Sequence, residues 1–123
     1  MKRLDQMDDN ERKALPVYDG LLSYFPNALC LVAANSMEGQ QQHAPDEPLQ
    51  WHKYKSRDEL GSLSRHLLDY AIAEARGDYS TMAEATASIA WRALAHAERF
   101  IGTTDEDPER YQKVKRLREA LDE

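Results

Sequence analysis

The chain has 123 residues, 41% of them hydrophobic and 31% charged, with a mean hydropathy of −0.76. That length suits one compact domain with one core. A net charge of −6 opposes long polyanions such as duplex DNA, and a single cysteine excludes a disulfide framework.

The charge is uneven. Gln50 to His66 holds four basic residues (Lys53, Lys55, Arg57, Arg65) and two acidic ones (Asp58, Glu59), so this block is +2 and the rest is −8. A small basic zone on an acidic body suits a small anion better than a long nucleic acid; an ordinary solvated face is the alternative. The longest apolar run, Ala28 to Ala34, is too short to span a bilayer, and no apolar leader follows Met1. A protein of the cytoplasm, without membrane partners, is expected.

Residues 1–14 read as a tail or a short docking helix, and Leu15 to Gly20 as a turn broken by Pro16 and Gly20. Pro26 opens the first firm helix, expected to run to about Gly39. It is apolar on most sides (Leu29, Leu31, Val32, Ala33), which places it in the middle of the fold or in a subunit interface. Cys30 belongs to this run and reads as a small buried residue. Residues 39–55 form a Gln-rich, Pro-punctuated loop, "GQQQHAPDEPLQWHKYK", whose length and aromatics mark it as functional.

The next helix opens with Ser56 and Glu59 as a capping box. Leu60, Leu63, Leu67, Leu68, Ala71, Ile72 and Ala75 follow on one face, and Gly77 ends it. A second capping box, Thr81 with Glu84, starts an alanine-rich helix expected to stop at Gly102. Its small residues predict close packing in a central helical hairpin. A last helix begins at Asp107-Pro108-Glu109 and carries Tyr111, Val114, Leu117 and Leu121. The expected fold is therefore all-α: a small helical bundle in a single domain, 1–123, with apolar faces left over for homo-oligomerisation as a dimer or tetramer.

Three constellations carry chemistry. Trp51-His52-Lys53-Tyr54-Lys55 with Arg57 interleaves aromatics with cations, a composition able to stack a base and neutralise phosphate; the other reading makes Trp51 a core plug with lysines in solvent. Arg65 and His66 lie mid-helix, and Arg92, His96 and Arg99 share a face of the following helix. In a hairpin Arg65, His66, Arg92 and His96 would converge near one level, demanding an anion. For a metal, Mg²⁺ or Mn²⁺ on a diphosphohydrolase needs paired carboxylates. Asp8/Glu11, Glu106/Glu109 and Glu119/Asp122 have the spacing but lie near the termini; centrally His66 and Asp69 offer ligands, with Asp78 or Glu84 as a distant third.

Six strings occur in an order that resembles a phage family of dATP/dGTP diphosphohydrolase-like proteins: "RKALP" (12–16), "YFPNAL" (24–29), "GQQQHAP" (39–45), "PLQWHKYKS" (48–56), "RHLLD" (65–69) and "AWRALA" (90–95). The resemblance implies an α-helical, oligomeric, purine-nucleotide-binding protein of a phage or prophage, active in an infected bacterial host. It favours His43, Trp51, Lys55, Arg65, His66, Trp91 and Arg92 as ligand contacts, to which the basic box adds His52 and Lys53 and the shared helix face adds His96. The family pattern carries an acidic residue shortly before Arg-His-Leu and a histidine before Ala-Trp. Here those places read Gly61-Ser62-Leu63-Ser64 and "GDYSTMAEATAS". Those are groups a metal-dependent hydrolase needs. The expectation is a cofactor-free binder that sequesters a nucleotide signal such as a cyclic dinucleotide and so blunts antiphage defence. The alternative is an Mg²⁺-dependent dATP/dGTP diphosphohydrolase.

Overall fold

The computed structural model describes residues 2–52, 58–106 and 108–122, with side chains for 2–52, 58–99 and 115–122. Among them the secondary structure is helical, without a strand: α1 (Asp9–Ala14), α2 (Pro26–His43), α3 (Glu59–Arg76), α4 (Tyr79–Glu106) and α5 (Pro108–Asp122), plus single turns at Leu4–Gln6 and Tyr18–Leu22. No single helix among the described residues is long and apolar enough to cross a membrane.

Local chemistry accounts for the boundaries. Asp8 Oδ1 accepts from the Glu11 N–H at 2.8 Å and starts α1. Pro26 opens α2 as expected, but the helix passes through Gly39 to His43 and takes the first part of the expected loop. A lone glycine costs a helix only about 1 kcal/mol, which the flanking turns outweigh. For the same reason α4 runs through Gly102 to Glu106. Gly77 does stop α3, because it adopts the left-handed conformation at φ 67°. Its N–H donates to Glu74 and the Asp78 N–H to Ala73, which closes the last turn.

Asp78 also begins α4. Its Oδ1 accepts from the Thr81 N–H at 3.1 Å and its Oδ2 from the Thr81 hydroxyl at 2.6 Å. Those two bonds hold the Asp78 carboxyl below its ordinary value of 3.8, with Arg76 helping. Thr81 is therefore the partner of the cap rather than the cap itself. Glu59 likewise does not serve a capping box: α3 begins after Asp58 without a side-chain cap, and the Glu59 carboxylate turns inward. Ser56 and Asp107, the other expected cap residues, lie outside the described residues.

The principal packing is α3 against α4, with α2 laid more lightly on α4. On α3 the covered positions include Glu59, Leu63, His66, Tyr70 and Ala73; on α4 they include Thr81, Ala85, Ser88, Arg92, Ala95 and Arg99, with Ala87 buried beside them. Both series alternate steps of four and three, the spacing of a straight seam between two helices. The seam is small and polar: the buried apolar residues are Ala73, Ala85, Ala87 and Ala95, and Glu59 and Arg99 are buried among them.

Of the leucine stripe of α3, Leu63 is half-buried, while Leu60, Leu67, Leu68 and Ile72 are exposed, Leu68 at 66%. Within one chain α2 does not lie in the middle of the fold, which leaves the other expected place, a subunit interface. Its half-buried positions are Leu29, Val32, Asn35, Ser36, Gly39 and Gln40, whereas Leu31 and Cys30 are exposed, contrary to the expectation of a buried thiol. On α5, Leu117 and Leu121 are exposed, while the side chains of Tyr111 and Val114 lie outside the described ones.

Candidate functional site

The segment after α2 is clamped by Gln40, and the Gln50 side-chain amide donates to Glu47 Oε2 at 2.7 Å within it. Gln40 Nε2 donates to the Ala44 carbonyl at 2.8 Å and the Glu47 carbonyl at 3.2 Å, while its Oε1 accepts from the Gln50 N–H at 3.3 Å. This clamp folds residues 44–50 back against the C-terminal half of α2. Trp51 is thereby delivered to Trp91 on α4, and the rings meet edge to face at 5.7 Å and 76°. Trp51 stays 41% exposed, so it is a wall rather than a core plug.

Beneath that pair lies a cleft of about 1010 Å³ among α2, the clamped segment, α3 and α4. His43, Trp51, His52, His66, Trp91 and Arg92 line it, with Asn35, Gln40, Glu47, Glu59 and Ser88 among the remaining contributors. Ser88 Oγ donates to Asn35 Oδ1 at 2.9 Å, which ties α2 to α4 at the same level. The Arg92 guanidinium lies 5.1 Å from the centre of the Trp91 ring and donates to Glu59 Oε2 at 2.9 Å. Arg99 Nη1 stands 3.8 Å from the other Glu59 oxygen. Glu59 is 1% exposed and Arg99 4%, and the Arg99 Nε has no hydrogen-bond partner among the described residues.

The sequence candidates thus fall into three groups. Six of them (His43, Trp51, His52, His66, Trp91, Arg92) share the cleft. Arg65 does not line it. It sits on the outward side of α3, 66% exposed, with Nη1 3.4 Å from Asp58 Oδ2, so within one chain the expected meeting of Arg65 and Arg92 does not occur. His96 is half-buried on α4, outside the lining. Lys53 and Lys55 lie outside the described residues.

The alternative metal candidates lie together elsewhere. His66, Asp69 and Glu84 border a second cleft of about 390 Å³, with Arg76 and Asp78, and His66 belongs to both clefts. Asp69 Oδ2 is 3.5 Å from His66 Nδ1. No group of three or more His, Cys, Asp or Glu side chains placed to hold a metal ion occurs among the described residues.

Sequence reasoning missed three contributors. Gln40 was hidden in a string read as loop. Glu59 matched a local capping pattern, although Arg92 and Arg99, seven apart on one helix face, already required an acid opposite them. Asn35 carried no signal, since its partner Ser88 is 53 residues away. Comparison with known proteins finds no matching family model, no matching curated protein and no matching solved structure.

Proposed function

We propose that the chain is a phage-type purine-nucleotide-binding protein that sequesters a nucleotide signal, such as a cyclic dinucleotide, in the cleft bounded by Trp51, Trp91 and Arg92. One observation carries the reading: two indole rings and a guanidinium converge on a cleft at the upper end of the usual size for small-molecule sites. Base–aromatic stacking contributes about 1–3 kcal/mol per base. A guanidinium adds a planar fork for a phosphate. His43, His52 and His66 supply further polar contacts around it. The six strings shared with the diphosphohydrolase-like phage family favour a purine nucleotide.

The charge of the lining favours a lightly charged ligand. Arg92 is offset by Glu59 and Glu47, so the described wall has no strong excess of positive charge. A cyclic dinucleotide, with one charge per phosphodiester, suits that wall better than a triphosphate. Subunits associate through the outward leucines of α3, which would bring Arg65, on the same outward side, to a second copy as a dimer or tetramer forms. The second reading is the Mg²⁺- or Mn²⁺-dependent diphosphohydrolase; His66, Asp69 and Glu84 border the 390 Å³ cleft and would be its metal ligands, but in the single chain they are not gathered around one point.

Calorimetric titration of dATP, dGTP and cyclic dinucleotides tests the reading. Trp51→Ala and Arg92→Gln should each weaken binding about tenfold or more, the loss expected for one stacked base or one charged hydrogen bond. Unchanged affinity in both variants, with helical circular dichroism intact, would remove the cleft as the binding site.

A further inference from the structure

Glu59 stands between two arginines and borders the cleft beside one of them, Arg92. One carboxylate oxygen is 2.9 Å from Arg92 and the other 3.8 Å from Arg99. The three side chains together carry a surplus of one positive charge. Arg99 is buried, and its Nε has no hydrogen-bond partner among the described residues. Burying the two ionised groups Glu59 and Arg99 is costly, and a fully apolar seam of alanines and leucines would be simpler. The arrangement has a consequence at the cleft: it holds the Arg92 fork in place and sets how much positive charge that fork presents.

Resting on the nucleotide reading above, we infer that Glu59 is a positioning residue that selects among anionic ligands by charge. A phosphate seated on Arg92 lies within about 5–7 Å of the Glu59 carboxylate, since both share one guanidinium. Each charge on the ligand is attracted by Arg92 and Arg99 and repelled by Glu59. The net attraction is that of roughly one cation. A cyclic dinucleotide, with about two charges, feels the carboxylate about twice and a triphosphate about four times, so Glu59 trims the advantage that the net positive field gives the more highly charged ligand.

Replacing Glu59 by glutamine keeps an oxygen for Arg92 and removes the negative charge. Glu59→Gln should tighten dATP binding roughly tenfold and cyclic dinucleotide binding only about threefold, because the gain scales with ligand charge and is softened by salt. Arg99→Met leaves Glu59 and Arg92 as a neutral pair and should move the same ratio the opposite way. That second variant carries the test if Glu59→Gln does not fold. The readout is the ratio of the two Kd values at two salt concentrations, which a purely structural role would not shift in opposite senses. A folded variant of either kind whose ratio stays at the wild-type value overturns the inference and leaves the nucleotide reading standing. Wild-type protein that binds neither ligand sinks both.

Discussion

Arg92 does two jobs at the residue scale. It neutralises the buried Glu59 with one nitrogen and sets its guanidinium over the Trp91 ring, 5.1 Å from the ring centre. A lysine reproduces neither the fork nor the guanidinium over the ring, so Arg92→Lys should resemble Arg92→Gln more than wild type. Asp78 is a separate case, since it acts on stability. Its carboxyl is held low by the Thr81 hydroxyl and N–H, so the ionised form favours the folded chain. That contribution is complete above the ordinary carboxylate value and is lost as the pH falls through the lower folded value. Asp78→Ala should therefore melt below wild type near neutral pH, and the gap should close in strong acid. Thermal melts across pH check this; a gap that widens in acid contradicts the assignment.

Individual elements show where a sequence speaks and where it is silent. Pro26 and Gly77 mark real boundaries because each acts through its own backbone, φ fixed in one case and φ 67° in the other. The leucine periodicity of α3 also forecasts a helix correctly. It does not reveal what covers that face, because amphipathicity is the same whether the cover is α4 or a second copy. In the single chain the covered face is instead the series through Glu59, His66 and Ala73, and Leu67 and Leu68 are left exposed. Glu59 was illegible for a related reason. A capping pattern is read within four residues, while the partner that claims its carboxylate is 33 residues away. Of the candidate site, the aromatics and histidines were legible by residue type, but the Gln40 clamp that gathers them was not. If the α3 face joins copies of the chain, Leu67→Glu with Leu68→Glu should shift light-scattering mass from oligomer to monomer while helicity persists. A wild-type chain that is already monomeric at micromolar concentration would contradict the proposed association.

At the scale of the whole molecule the helices frame a roomy cleft. Among the described residues the buried apolar ones are four alanines, and the outward leucines of α3 offer further surface to bury. Association through the exposed leucines would supply that burial and place the clefts of neighbouring copies in one assembly. The central claim is that this assembly holds a nucleotide without cutting it. Incubation with cyclic dinucleotides, dATP and dGTP, with and without Mg²⁺ or Mn²⁺, followed by heat denaturation and chromatography of the supernatant, tests it most directly. Recovery of intact cyclic dinucleotide in stoichiometric amount, released only on denaturation, is the expected result. Pyrophosphate and a nucleoside monophosphate appearing in a metal-dependent way would contradict it and establish the hydrolase instead.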